Sequence, residues 1–132
     1  MKHHLHSVIV SYNRLDLTRQ AISSYLETVS LPFTMVVVDN AINVEELQRA
    51  AAASGVRVRA LIDLDVGQNR TGVQPGEPAL RLADSIHRAG NLELKGICAY
   101  AGHSAHVAGF ENRAASSRRA LAQAVATRDL LS

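Results

Sequence analysis

The sequence is poor in several residue types that mark particular classes of protein. It contains one cysteine and no tryptophan, and only 4% of its residues are aromatic. Because a single cysteine cannot form an internal disulfide, nothing indicates an oxidising compartment. No apolar run approaches the roughly 20 residues of a membrane-spanning helix, and the first residues lack the apolar segment of a signal peptide. We therefore predict a cytoplasmic protein with no membrane partner.

Lysine is also scarce, and the basic residues form no continuous stripe. Lys2 and Lys95 are the only lysines among 14 basic residues, and the formal net charge is +2. Binding to a phosphate backbone depends on a row of cations, so we predict no nucleic-acid partner. A length of 132 residues, with 47% hydrophobic and 20% charged residues, is typical of one globular domain.

Four short apolar runs alternate with stretches of helical periodicity. The predicted strands are residues 7–12, 34–38, 56–62 and 92–98. The predicted helices start near residue 17, at Asn43, after Pro78 and near Phe110. Asn43, with Glu46 three residues later, is typical of a helix N-cap.

Apolar strands that alternate with helices indicate a mainly parallel sheet. We predict a single α/β domain over residues 1–132, built from four consecutive β-α units. Two architectures fit this order, a (βα)4 half-barrel and a flattened doubly wound sheet. In both, ligands bind at the carboxyl ends of the strands. The polar stretches do follow predicted strand ends, at residues 12–14, 39–40, 63–72 and 100–106.

From about Val36 to the end, the chain resembles the D-threonine aldolase and D-serine dehydratase family. The similarity is carried by residues 38–41 with 43–47, by Leu61-Ile62-Asp63-Leu64-Asp65-Val66-Gly67-Gln68-Asn69-Arg70-Thr71-Gly72-Val73, by residues 75–80, and by Gly96-Ile97-Cys98-Ala99-Tyr100-Ala101-Gly102-His103. The resemblance implies an alanine-racemase-type barrel that carries pyridoxal phosphate (PLP). The nearest reaction class that it implies is a PLP-dependent lyase.

The same resemblance implies roles for particular residues. Arg70 corresponds to the arginine that donates to the phenolic oxygen of PLP, a role that suits the fixed geometry of a guanidinium. His103 corresponds to a residue beside the cofactor ring, and Tyr100 to one that faces the substrate. PLP catalysis requires a lysine to hold the aldehyde as a Schiff base. The family places that lysine at the end of the first barrel strand, where this chain reads Ser11-Tyr12-Asn13, so we predict no catalytic residue.

The first 40 residues resemble the start of a family 2 glycosyltransferase. The similarity lies in residues 8–14 and in Val36-Val37-Val38-Asp39-Asn40. It implies that Tyr12, Asn13 and Asp39 hold the nucleotide of a sugar donor, and Asp63 and Asp65 could imitate an Asp-x-Asp metal motif. The chain thus reads as a chimera of two families joined at a shared strand near residues 36–41.

These observations predict a catalytically incomplete fragment or chimera of a PLP barrel, inactive alone, with residual PLP or phosphate binding. A ligand-free structural or designed scaffold and a nucleotide-sugar module are the alternatives. No His, Cys, Asp or Glu cluster has convincing zinc-ligand spacing, so we predict no metal site. Because a complete barrel has eight strands, three outcomes are open, namely a homodimer that closes a barrel, a flattened doubly wound sheet and an aggregating fragment. We expect a compact structure that is either flattened or dimeric.

Overall fold

The computed structural model describes residues 5–10, 20–21, 23–24, 27, 33–39 and 41–132, with backbone alone for residues 5–10, 33–39 and 41–43. The described residues between 20 and 27 are helical. The other elements are β1 (Leu5–Val10), β2 (Phe33–Asp39), α1 (Ala41–Ala53), β3 (Val58–Leu64), α2 (Glu77–Arg88), β4 (Leu92–Ala99), a 3₁₀-helix (Gly102–His106) and α3 (Phe110–Leu130). The predicted alternation of strands and helices is therefore confirmed.

The four strands form one parallel sheet in the order β1-β2-β3-β4. A doubly wound sheet reverses its strand order at a switch point, and this sheet does not. Each strand pairs with the one before it in the sequence, as in the wall of a (βα)8 barrel. Of the two predicted architectures, the half-barrel is the one observed.

One irregularity interrupts the pairing of β3 with β4. Ala60 pairs with Leu94 and Leu61 pairs with Gly96, so Lys95 is an extra residue in β4. A bulge of this kind bends the strand and increases its local twist. This bend in the middle of β4 therefore sets the direction in which the carboxyl end of the strand runs.

The two faces of β3 have different surroundings. Buried and half-buried side chains alternate along the strand, and Val58, Ala60, Ile62 and Leu64 are buried. This face packs with α2, whose Ala79, Leu82, Ala83 and Ile86 repeat at helical spacing and are also buried. The opposite face carries Arg59, Leu61 and Asp63, which are half-buried and would point into the interior of a closed barrel.

The buried face of α3 consists of small side chains. Ser116, Ala120, Ala124 and Thr127 are the buried residues of this helix. Thr127, only 1% exposed, accepts a hydrogen bond through Oγ1 from the backbone nitrogen of Gly76 at 3.0 Å. That contact fixes the start of α2 to α3. The described helices include none with the length and apolar character needed to cross a membrane.

Several predicted boundaries differ from the observed ones. β3 continues to Leu64 because its pairing with β4 continues to Ala99. α1 begins at Ala41, so Asn43 lies inside the helix and the prediction that it is the N-cap was wrong. β1 ends at Val10, and Ser11 and Tyr12 lie outside the described residues.

Candidate functional site

The loop after β3 is organised around the carboxylate of Asp65. Its Oδ1 accepts hydrogen bonds from the backbone nitrogens of Gly67 at 3.1 Å and Asn69 at 2.9 Å. Its Oδ2 accepts one from the side-chain amide of Gln74 at 3.2 Å. Asp residues that bond to nitrogens shortly after them stabilise tight loops in this way. The loop over residues 65–74 therefore curls around one buried carboxylate.

These contacts determine the ionisation of Asp65. Burial raises the pKa of the Asp65 carboxyl, but the hydrogen bonds from Asn69, Gly67, Gln68 and Gln74 lower it by more. The pKa lies below its ordinary value of 3.8 as a result. Hydrogen bonds to the charged form favour that form. Asp65 is an ionised structural group whose acceptor oxygens are already engaged.

After this curl the chain returns to the edge of β3. Val73 donates to the carbonyl of Asp63 and accepts from the nitrogen of Asp65, both at 2.9 Å. Thr71 closes the same turn because its hydroxyl donates to Oδ2 of Asp63 at 2.8 Å. Both carboxylates of the predicted Asp-x-Asp pair thus bind their own loop. Among the described residues no group of three or more potential metal ligands occurs.

Gly72 allows the chain to return close to the backbone of residues 63–65. Its φ is +91°, and a Cβ there would lie 2.8 Å from the nitrogen of Asp65 and 2.9 Å from the carbonyl oxygen of Asp63. Real Cβ atoms do not approach backbone so closely, and L-residues avoid this region of φ. The loop can reach the strand only with glycine at this position.

His103 lies against the same loop. A Cβ added to Gly67 would meet Cε1 of His103 at 3.2 Å and Nε2 at 3.3 Å, so the imidazole edge packs on the glycine backbone. Nδ1 of His103 is buried and has no hydrogen-bond partner. Because buried polar atoms are normally paired, this nitrogen is a candidate for contact with a water or a ligand.

The side chains of Tyr100 and Gln68 both lie against Gly102. A Cβ on Gly102 would lie 2.6 Å from Cε1 of Tyr100 and 3.0 Å from Nε2 of Gln68. Tyr100 remains 65% exposed, so most of its ring is free to contact a ligand. The loops after β3 and β4 therefore meet at the carboxyl edge of the sheet, where a binding site was predicted.

Arg70 lies in the loop after β3 but takes no part in these contacts. It is exposed and makes no hydrogen bond or ion pair with the described residues. The structure thus brings Tyr100 and His103 to one edge, with Arg70 on the adjoining loop. Asp39 ends β2, in register with Ile62, and Tyr12 and Asn13 lie outside the described residues.

Cys98 and Lys95 are two further chemically reactive side chains on β4. Burial raises the pKa of the Cys98 thiol, and the neighbouring Asp63 carboxylate raises it further. Such a thiol is a poor nucleophile at neutral pH. Lys95 lies in the middle of β4 and forms an ion pair with Glu93, whose pKa it lowers by hydrogen bonding. No described lysine therefore lies at the carboxyl edge.

Some residues of the site were not singled out in the sequence. Gly67 packs against His103 and Gln68 lies against Gly102, from a distant part of the chain, and Ser104 bonds to Ser116. The glycines that flank the loop after β3 were a visible signal for tight backbone packing. No local pattern indicated which histidine or tyrosine they would contact.

Comparison with known proteins identifies the fold. The sequence profile described as alanine racemase, N-terminal domain, matches residues 16–131. A 3-hydroxy-D-aspartate aldolase of Paracoccus denitrificans (strain Pd 1222) is 36% identical over 88 residues, which are 67% of this chain and 23% of that protein. A D-threonine aldolase of Arthrobacter sp is 33% identical over 96 residues, which are 73% of this chain and 25% of that protein.

Solved structures give the same result. The crystal structure of D-threonine aldolase from Filomicrobium marinum has a TM-score of 0.73 and 27% identity, covering 96% of this chain and 34% of that chain. An alanine racemase of Clostridium difficile 630 in complex with cycloserine has a TM-score of 0.53 at 13% identity, covering 88% of this chain and 30% of that chain, and shares the fold.

These matches extend further towards the start of the chain than the similarity seen in the sequence. The profile begins at residue 16, so it includes residues assigned above to a glycosyltransferase-like segment. None of these findings supports the glycosyltransferase resemblance or a chimera. The chain spans about a quarter of the length of the curated relatives it matches.

We expect Gly72→Ala to destabilise the protein by about 1–3 kcal/mol, because the methyl group would collide with the backbone of β3. Gly55→Ala is the matched control, since Gly55 also has positive φ but nothing lies within 4 Å of its added Cβ. Urea unfolding followed by circular dichroism measures both. Equal losses in the two variants would contradict the close approach at Gly72.

The lowered pKa of Asp65 predicts a dependence of stability on pH. A carboxyl whose folded pKa lies below its unfolded value stabilises the fold above the unfolded pKa, and this contribution is lost as the pH falls through the folded pKa. We expect the free energy of unfolding to decrease below pH 3.8, and Asp65→Asn to reduce that decrease. Asp84→Asn, an exposed carboxyl on α2, is the control. An unchanged acid profile in Asp65→Asn would refute this role.

Proposed function

The chain belongs to the alanine racemase N-terminal domain family, and on that premise we propose that it supplies one side of a PLP site in a D-threonine-aldolase-like barrel. The proposed site lacks the Schiff-base lysine, so the chain alone is catalytically incomplete. The nearest reaction class is that of the aldolases to which it is similar, a lyase.

The observation that carries this proposal is the environment of His103. Its ring is held against the backbone of Gly67, and its buried Nδ1 has no partner. A buried polar atom without a partner is costly unless a ligand or water satisfies it. An aromatic cofactor with polar substituents, stacked beside the imidazole, would supply both contact area and a partner.

The neighbouring residues complete the proposed arrangement. Tyr100, largely exposed, would face the substrate side of the ring. Arg70 is a guanidinium without a partner among the described residues, on the loop that contacts His103. In this arrangement Arg70 would donate to the phenolic oxygen, where its permanent charge favours the anionic form.

The residues do not fit covalent attachment of the cofactor. Lys95 is paired with Glu93 in the middle of β4, and Lys2 lies outside the described residues. Barrel enzymes commonly bind phosphate at the loops after strands seven and eight, whereas the described residues form four strands. We therefore derive no catalytic step and propose weak, non-covalent binding. The cytoplasmic location stays a prediction.

A PLP titration tests the proposal. We expect a saturable change in the PLP absorbance spectrum, a roughly tenfold higher Kd in His103→Gln, and persistence of binding in Lys95→Arg. Borohydride reduction followed by mass spectrometry should leave no specific adduct on Lys95. Arg70→Ala is titrated in the same way. Arg81→Ala is its control, because Arg81 is exposed on α2 and pairs with Glu77.

The outcomes separate the alternatives. A stable adduct on Lys95 would contradict non-covalent binding and restore a covalent role for that amine. Absence of any saturable change would contradict PLP binding and favour the ligand-free scaffold.

We also propose that two chains associate to close an eight-stranded barrel. β1 and β4 are the outer strands of the sheet that the described residues form, and unpaired edges are templates for further pairing. Pairing β4 of each chain with β1 of its partner would close the barrel with two-fold symmetry. The half-buried face of β3 that carries Leu61 would then become interior.

Light scattering after gel filtration measures this association. We expect a mass of about twice 14.2 kDa. Leu61→Lys should shift the population towards monomer because it would place a charge in the barrel interior. Leu121→Lys is the control, since Leu121 is 59% exposed on α3. A monomer at every attainable concentration would contradict the proposal.

A further inference from the structure

The position of His103 depends on a short 3₁₀-helix. Gly102–His106 forms this helix directly after β4, and no side chain caps its first turn. Hydrogen bonds in 3₁₀-helices have poorer geometry than those in α-helices, and runs this short are weakly self-stabilising. The position of such an element is therefore set mainly by its contacts with neighbours.

One side-chain hydrogen bond ties this element to the rest of the fold. The hydroxyls of Ser104 and Ser116 are 2.8 Å apart, and the residues are 5% and 6% exposed. Within the described residues it is the only side-chain hydrogen bond between the 3₁₀-helix and another element. Ser116 belongs to the buried small-residue face of α3, which allows the two backbones to approach closely.

His103 immediately precedes Ser104 and has no such bond of its own. Its Nδ1 is buried without a partner, and its Cε1 and Nε2 face the backbone of Gly67. The orientation of the imidazole ring is therefore set by its packing against Gly67 and by the position of the His103 backbone. A shift of Ser104 would be transmitted to the ring directly.

We propose that Ser116 on α3 is a positioning residue, which holds the 3₁₀-helix through Ser104 and so fixes the imidazole of His103 against Gly67. For any effect on PLP the inference rests on the proposed function, but the position of the ring can be measured without the cofactor. α3 therefore influences the position of His103 through one buried pair of hydroxyl groups, those of Ser116 and Ser104.

The test compares two buried hydroxyls of the same helix. Thr127 is also buried on α3 and also bonds to a distant segment, at Gly76. Ser116→Ala and Thr127→Ala each remove such a bond, but only the first removes the contact to the 3₁₀-helix. Both full-length variants are compared with the wild type by NMR of the histidine Cε1–H signals without PLP, with His103→Gln assigning the signal.

We expect Ser116→Ala to move the His103 signal towards its position in the urea-unfolded chain, while the signal of His87, which lies on α2, stays in place. Thr127→Ala should lower the free energy of unfolding without moving the His103 signal. Ser116→Thr, which retains the hydroxyl, should restore the wild-type signal. Should Ser116→Ala not fold, Ser104→Ala/Ser116→Ala leaves neither hydroxyl unpaired and is expected to show the same displacement.

An unchanged His103 signal in Ser116→Ala, or equal displacement in Thr127→Ala, would overturn the proposal.

A PLP titration of the same variants separates this proposal from the proposed function. If the wild type binds PLP, Ser116→Ala should raise the Kd about fivefold and Thr127→Ala should not, and equal values would contradict the positioning role. If the wild type binds none, the proposed function fails while the NMR comparison still decides the position of the ring.

Discussion

The carboxylate of Asp65 organises the carboxyl edge of this half-barrel. Its bonds to Gly67, Asn69 and Gln74 determine how the chain turns after β3. They place Gly67 against His103 and bring the chain back so that Val73 bonds beside β3. A buried carboxylate is favourable only when such donors surround it, so the turn and the charge depend on each other.

The two faces of the sheet differ in burial and composition. The face of β3 that meets the helices holds the apolar core, including the fully buried Ile62. The opposite face carries Arg59, Asp63 and the neighbouring Cys98, which are half-buried and polar or polarisable. Changes on the first face act through packing, whereas changes on the second act on whatever fills the interior of the barrel.

The order of elements could be predicted because it depends on local patterns. Apolar runs and helical periodicity identified four β-α units, and Phe110 was correctly taken as the start of the last helix. The end of β3 at Leu64 was missed because its pairing with β4 is a tertiary feature. The resemblance selected His103 and Tyr100, and the structure brings both to one edge. The packing of His103 on Gly67 and of Gln68 on Gly102 joins segments over 30 residues apart, which no local pattern specifies.

The sequential pairing of the strands has a consequence for synthesis on the ribosome. Each strand finds its partner in the segment that emerged just before it, so the sheet requires no contact with sequence that is still to be translated. Pairings that are close in sequence form faster than distant ones, because less chain entropy is lost when the loop closes. A nascent barrel of this type can grow by one β-α unit at a time. At each stage the newest strand offers the edge to which the next is added.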